Sequence, residues 1–323
     1  MATKVIANDS LPLVSIGMPV YNAERYVEEA IQSILGQTFA NFELIISDNA
    51  STDATPEICQ KYAAQDNRIR LVSNEFNLGA AKNYNHVFLM SRGRYFRWAA
   101  ADDLCAPEYL ERCVEVLEND RGVILAYPKT KIIDQDGTVI DTYDDGLHLK
   151  SKSASGRFLQ FMYNVGECNA VFGVIRSDGL IKTHLIGSYI GSDVCLLADL
   201  SLRGRFFEIP EALFFRRHHP KASSAQKDVA SQQQFFDPAS KGRIVLPLWR
   251  HFFEHCKSIR RADIPVTQKI LPMMYLLGGL AASAKKYVHE LRIAARLGRR
   301  RLFKKSRLTG EQFLDRSIIR TGL

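Results

Sequence analysis

"VSIGMPVYNAERYVEEAIQSILGQTF", residues 14–39, changes period once, and that change sets the fold class. Its opening run, "LVSIGM" (13–18), is apolar and short, the pattern of a strand buried on both faces. In "ERYVEEAIQSIL" (24–35), Val27, Ala30, Ile31, Ile34 and Leu35 recur at helical spacing, with Asn22 as the expected N-cap. A buried strand followed at once by an amphipathic helix is the first half of a βαβ unit.

The alternation continues downstream. "FELIIS" (42–47) reads as a strand, and Thr55-Pro56 as the N-cap and first position of a helix reaching Gln65. "IRLVS" (69–73), a helix over 80–91, "YFRWAA" (95–100), a Pro107-led helix to Asn119 and "VILAYP" (123–128) follow in turn. The expected architecture is α/β: a Rossmann-type, mostly parallel sheet flanked by helices. After Pro128 the pattern changes. "TKIIDQDGTVIDTY" (130–143) reads as a hairpin around Asp136-Gly137, and 144–156 as a polar loop. Polar "AQKDVASQQQ" (225–234) marks the expected boundary. It divides the chain into a catalytic domain, 11–225, and a helical, basic C-terminal region, 226–323.

The six cysteines are scattered, with no CxxC pair, which argues for a reducing compartment and against a zinc site or disulfide framework. The start, "MATKVIANDSLP", has no apolar signal core, and "ILPMMYLLGGLAASA" (270–284) is too short to span a bilayer, so a cytoplasmic chain is expected. The net charge is +8, yet residues 285–307 hold ten Lys/Arg and one Glu, which leaves a near-neutral body. Such a localised patch on a chain with few interleaved aromatics argues against nucleic acid as a partner.

Ligands of open parallel sheets bind outside the carboxyl ends of the strands. Here those ends are polar: "PVYN" (19–22), "SDNASTD" (47–53), and Asp102-Asp103 after the strand at 95–100. "SDNASTD" is equally readable as a turn with a helix cap, and Asp102-Asp103 as acids drawn to a helix N-terminus. No GxGxxG, GxxxxGK[ST] or HExxH is present. A nucleotide diphosphate bound without such a glycine cradle needs another cation, and Mn²⁺ or Mg²⁺ held by carboxylates supplies one.

The ordered set "VSIGMPVYNAERYVEEAIQSILGQTF", "FELIISDNASTDAT", "NEFNLGAAKNYN" and "YFRWAAADD" resembles the family-2 glycosyltransferases over residues 11–225. The resemblance implies a GT-A-like fold, a nucleotide-diphosphate sugar donor with UDP the default, inversion at the anomeric carbon and a divalent metal. By position it makes Pro19, Tyr21, Asp48, Asn77 and Lys82 nucleotide-side residues, although arginine is usual where Lys82 stands. It assigns Asp102 to the ribose, Asp103 to the metal and Asp193 to the catalytic base. It makes His219 of "RHHP" (217–220) a metal or diphosphate contact, against a structural histidine as the plain alternative. Two departures stand out: Ala100 replaces the first Asp of the metal motif, and Ser192 replaces the Glu that often precedes the base. They leave open a catalytically silent nucleotide-sugar-binding or scaffolding homologue. A nucleotidyltransferase is disfavoured, because "PVYNAERY" (19–26) lacks a glycine-rich basic loop.

The acceptor implied is a glycan or lipid-linked hydroxyl, with "YNVGECNAVFGVIR" (163–176) lining its side. Over 280–302 an apolar stripe of Leu280, Ala284, Tyr287, Val288, Leu291 and Leu302 runs beside basic residues. Two readings stay open: a peripheral contact of residues 285–307 with the anionic inner face of the plasma membrane, or a helix packed on the catalytic body.

Overall fold

The computed structural model describes residues 11–220, 222, 229–240 and 244–297. The first half alternates: β1 (Val14–Val20), α1 (Val27–Leu35), β2 (Phe42–Asp48), α2 (Thr55–Gln65), β3 (Ile69–Ser73), α3 (Ala80–Leu89), β4 (Tyr95–Trp98), the short β5 (Leu104–Cys105) and α4 (Tyr109–Asn119). The second half is less regular: β6 (Val123–Ile133), β7 (Val139–Tyr143), α5 (Ala154–Asn164), β8 (Val174–Arg176), α6 (Ser177–Leu180), α7 (Ser192–Arg203) and β9 (Arg205–Arg217). Helices α8 (Val229–Phe236), α9 (Pro247–Arg261) and α10 (Val266–Ala282) follow, and residues 284–297 are helical as well.

Among the described residues the strands form one nine-stranded sheet in the order β3-β2-β1-β4-β8-β6-β9-β5, with β7 paired to β6. It is parallel across β3, β2, β1 and β4, where βαβ crossovers build it. Beyond β4 it is mixed: β8 is antiparallel to β4 and β6, β6 runs parallel to β9, and β5 is antiparallel to β9. Register shifts between Val123 and Leu125 and between Pro128 and Lys129 bend the long β6–β9 pair and curl the sheet.

Apolar layers cover both faces. On one, Val27, Ala30, Ile31 and Ile34 of α1 pack over Ile16 and Leu44; on the other, Phe88, Phe96, Trp98, Phe158 and Leu196 meet. The closest helix–sheet approach is at Gly17. A Cβ there would lie 2.5 Å from Val87 Cγ2 and 2.8 Å from Phe96 Cζ, so only glycine lets α3 sit this low on β1.

Several local expectations shift. α1 starts at Val27, and Asn22 does not cap it. Asn22 is a left-handed turn residue (φ 48°) whose Oδ1 accepts the Thr52 N–H at 2.8 Å, so its side chain bridges two loops instead. Thr55 is the first residue of α2 rather than its cap. "VILAYP" extends to Ile133, and the hairpin falls where expected, with Thr130 opposite Tyr143. The polar stretch 144–156 turns helical at Ala154, capped by Ser153, whose Oγ accepts the Gly156 N–H.

The C-terminal helices pack on the helices of the second half. α9 lies on α7, and α10 on α5 and α9. His251 Nε2 sits 2.6 Å from the Ile190 carbonyl, and Gln268 Oε1 accepts the Ala154 N–H at 2.7 Å. The helical stretch 284–297 returns to α9: Trp249 Nε1 donates to the Tyr287 carbonyl, and Glu290 accepts the N–H groups of Leu248 and Trp249. Its basic continuation, with Arg299, Arg300 and Leu302, lies outside the described residues, as do parts of the expected 225–234 boundary. Among the described residues no helix is long and apolar enough to cross a membrane.

Candidate active site

The carboxyl ends of β1 and β2 lie side by side, Val20 opposite Asp48, and open into two linked turns. Pro19 is buried within β1, while Tyr21, just past it, is 48% exposed. Asp48 ends β2, is buried, and accepts the Ser51 N–H. Beneath it runs a web of amides. Asn49 Nδ2 donates to Asn77 Oδ1 at 2.9 Å, and Asn49 Oδ1 accepts the Leu78 N–H at 2.9 Å. Buried Asn83 accepts from Ser47 Oγ at 2.7 Å and donates to the Ser47 carbonyl at 2.9 Å. These bonds tie the end of β2 to the loop before α3. They set Asn77 at the mouth, with Lys82 exposed on the first turn of α3.

The second cluster depends on the two-residue β5. Its ladder with β9, Leu104 opposite Phe215 and Cys105 opposite Phe214, draws Asp102 and Asp103 to the end of β9. Asp103 Oδ1 accepts the Arg217 N–H at 2.8 Å, and Asp102 Oδ2 lies 2.9 Å from His219 Nε2. His219 packs on the Tyr26 ring, 4.9 Å between centroids, and exposed His218 faces Glu167 at 4.0 Å. Arg217 is buried and serves as the latch. It donates to the Asp102 and Gln135 carbonyls and to Glu29 of α1 at 2.7 Å, and its guanidinium covers the Tyr26 ring.

Burial, and then the charge of Asp102, hold the Asp103 carboxyl well above the ordinary carboxylate range; the Arg217 N–H pulls it partly back. Two adjacent carboxylates under that strain are what a divalent cation relieves. Among the described residues no three His, Cys, Asp or Glu side chains gather tightly enough to hold a metal alone. The pair therefore fits Mg²⁺ or Mn²⁺ in the mode that takes one or two carboxylates from protein and the rest from substrate phosphates. Asp103 and Asp102 are the oxygen donors on offer, with His219 beside them.

Asp193 stands on the first turn of α7, its Oδ1 accepting the Val194 N–H at 2.9 Å. The turn before it needs Gly191 at φ 74°, where a Cβ would strike His251 of α9 at 2.5 Å. Ser192 is buried, and its hydroxyl has no partner among the described residues.

Tyr84 joins the three acids. Its hydroxyl is pushed up by burial first, then by Asp102, Asp103 and Asp193, and is pulled back by Arg216. The charges of the paired aspartates and of Asp193 thus all reach the Tyr84 hydroxyl. Its carbonyl accepts Trp98 Nε1 at 2.8 Å, which fixes α3 against β4. Arg216 supplies the positive charge here and is itself held by Glu167 Oε2 at 2.8 Å and Asn169 Oδ1 at 2.6 Å. Asp145 anchors that loop by accepting the Asn169 and Ala170 N–H groups, and burial raises its carboxyl to about 6. The segment 163–176 accordingly borders the same space.

The structure therefore joins Asp102 to His219 and Asp103 to the end of β9, lets the charges of Asp102, Asp103 and Asp193 all reach Tyr84, and sets Pro19, Tyr21 and Asp48 at the ends of β1 and β2, with Asn77 in the loop before α3. The sequence reading passed over Tyr84, Asn83, Arg216 and Arg217. Asn83 carried a signal: it falls on the buried stripe of α3 with Val87, where an apolar residue belongs.

Comparison with known proteins agrees with this geometry. The model of "Glycosyl transferase family 2" matches residues 15–178. A Haemophilus influenzae protein described as an uncharacterized glycosyltransferase is 38% identical over 224 residues, covering 67% of this chain and 69% of its own length. The Escherichia coli chondroitin synthase is 28% identical over 229 residues, 70% of this chain but only 32% of that protein. Among solved structures, S. aureus TarS 1–349 in complex with UDP-GlcNAc aligns with a TM-score of 0.63 at 16% identity, over 88% of this chain and 81% of that one. Strand ends that open into polar turns, paired aspartates and these matches lead to one conclusion: the chain belongs to glycosyl transferase family 2 and carries the GT-A fold.

Proposed function

We propose that the chain transfers a sugar from a nucleotide-diphosphate donor, UDP by default, to a hydroxyl of a glycan or lipid-linked acceptor, inverting the anomeric carbon. The observation that carries this reading is the fastening of Asp102 and Asp103 to the end of β9, through the Arg217 N–H and His219, together with the polar ends of β1 and β2. The likeness to chondroitin synthase supports a place in polysaccharide or glycoconjugate assembly.

In this reading Tyr21 and the turn at Asp48 receive the base, with Pro19 shaping the floor and Asn77 and Lys82 at the rim. Asp102 meets the ribose. The acceptor hydroxyl attacks the anomeric carbon as the bond to the diphosphate breaks, and Asp193 takes the hydroxyl proton. Asp103, with His219 nearby, would hold Mn²⁺ or Mg²⁺, which would supply Lewis-acid neutralisation of the leaving diphosphate. Arg216 adds fixed positive charge beside Asp103. In this reading residues 11–225 form the catalytic domain and 226–323 a C-terminal region, helical over Val229–Phe236, Pro247–Arg261, Val266–Ala282 and 284–297.

The test is a thermal-shift screen of nucleotide sugars with and without Mn²⁺, followed by donor hydrolysis. A stabilising donor raises the melting temperature by mass action. Metal-dependent stabilisation with turnover supports the reading. Stabilisation without any turnover, whatever acceptor is offered, assigns the silent homologue that Ala100 and Ser192 bring to mind. No stabilisation by any donor removes the proposal.

A peripheral place on an anionic, cytoplasm-facing membrane through residues 285–307 belongs to the same proposal. Lys285, Lys286, Arg292 and Arg296 on the helical stretch 284–297 support it, since each basic residue near such a surface adds about 1 kcal/mol of attraction.

A further inference from the structure

An apolar surface that the proposed site does not use lies on the C-terminal helices. α9 and α10 diverge to leave a groove of about 850 Å³ lined by Phe253, Val266, Ile270, Met273, Met274 and Leu277. Val266 is 74% exposed and Met274 61%. An apolar stripe this long on a water-facing helix pair marks a surface that meets something. Two unbranched methionines suit an irregular, fluid partner better than a fitted one.

The rim says what that partner carries. Arg250, Lys257, Arg260 and Lys269 border the groove. The one acid among the lining residues, Glu254, is buried and already shared between Arg250 Nε at 2.9 Å and Lys257 Nζ at 3.0 Å. Over residues 247–284, before the basic stretch begins, five Lys/Arg stand against two Asp/Glu, and one of those two is Glu254. A second copy docked two-fold on this face would bring two such positive surfaces together, which is repulsive. An anionic bilayer surface answers both features, with acyl chains for the groove and headgroups for the rim.

We propose that the α9–α10 groove is a membrane-docking face that inserts its apolar residues among anionic lipids. The face is separate from residues 285–307 and does not depend on them. It also gives α9 two jobs: its other side carries His251 against Gly191 and Ile190, the turn before Asp193. Docking here holds the Asp193 end of the cleft at the lipid surface, where a lipid-linked acceptor resides.

The experiment is flotation of the full chain with phosphatidylcholine vesicles, with and without about 30% phosphatidylglycerol. The wild type should float with the anionic vesicles only. Ile270→Glu/Met274→Glu should lower the bound fraction about tenfold with an unchanged melting temperature, because both side chains point to solvent. Ile270→Leu/Met274→Leu should float like the wild type. If the glutamate pair floats undiminished while Lys285→Glu/Lys286→Glu/Arg292→Glu does not, the basic stretch alone binds lipid and the groove proposal fails. Equal flotation on neutral vesicles overturns the charge argument. A wild type that stays unbound but sediments as a dimer, with the glutamate pair monomeric, replaces the bilayer with a second copy.

Discussion

The donor-side strand ends and the α9–α10 pair depart from the ordinary protein surface in opposite directions. At the ends of β1 and β2 polar groups are buried: Ser47, Asp48, Asn49 and Asn83 are almost fully enclosed. On α10 apolar groups are exposed, among them Ile270, Leu271, Met274 and Leu277. Each departure costs free energy in the isolated molecule. The first is offset internally, because Asn83 and Asn49 bond to their neighbours. The second has no internal offset among the described residues. A preformed polar pocket receives a small ligand; an unrelieved apolar face waits for a large one.

The sharpest test of the polar side is Asp193→Asn. Turnover should fall by about 10²–10⁴, while the donor-induced thermal shift stays at its wild-type value. Full turnover in this variant would falsify the base assignment and leave the strand-end pocket as a binding site only.

Next in size is a pH effect on the helical side. Burial, aided by the charges of His251 and His184, lowers the His255 imidazole to about 4. The folded value is thus below the unfolded one of about 6.5, so the unfolded chain binds the extra proton between them. His255 therefore costs nothing above pH 6.5 or so, and stability drains away as pH falls toward 4, by about 3 kcal/mol in all. Calorimetry from pH 7 to pH 4.5 should show the wild type losing more melting temperature than His255→Gln. Parallel curves would mean that α9 opens to water at that point.

The smallest effect belongs to the amide web. Asn83→Ala leaves the Ser47 hydroxyl with only the Asn74 amide, at 3.4 Å, and removes the donor to the Ser47 carbonyl; it should cost about 1–3 kcal/mol in denaturant unfolding. It should also weaken donor binding, since it loosens the floor beneath Asn77. A stability loss with unaltered donor affinity would uncouple the web from the pocket.

What was readable in advance follows the range of the forces involved. α1 was legible because Val27, Ala30, Ile31 and Ile34 repeat at 3.6 residues, and all four are buried. The acids at strand ends were legible because polar residues interrupt apolar runs there. β5 was not: two residues carry no period, and Leu104 and Cys105 become a strand only because β9 arrives beside them. Arg217 was passed over for the same reason, since every partner of its side chain is distant in sequence. Asn22 was misread because a cap and a turn residue share the same composition, and only the backbone angle separates them.

The grip of Arg217 on Glu29 spans 188 positions of chain. A polypeptide emerging from the ribosome has its first four strands in hand long before that arginine is made. Closing so long a loop comes late, because its entropy is repaid only when β9 finally pairs. The ends of β1 and β2 can thus form early, while Asp102 and Asp103 wait unfastened for the last strand. Under the proposed function, the competence to transfer a sugar would then come only with the closing of β9.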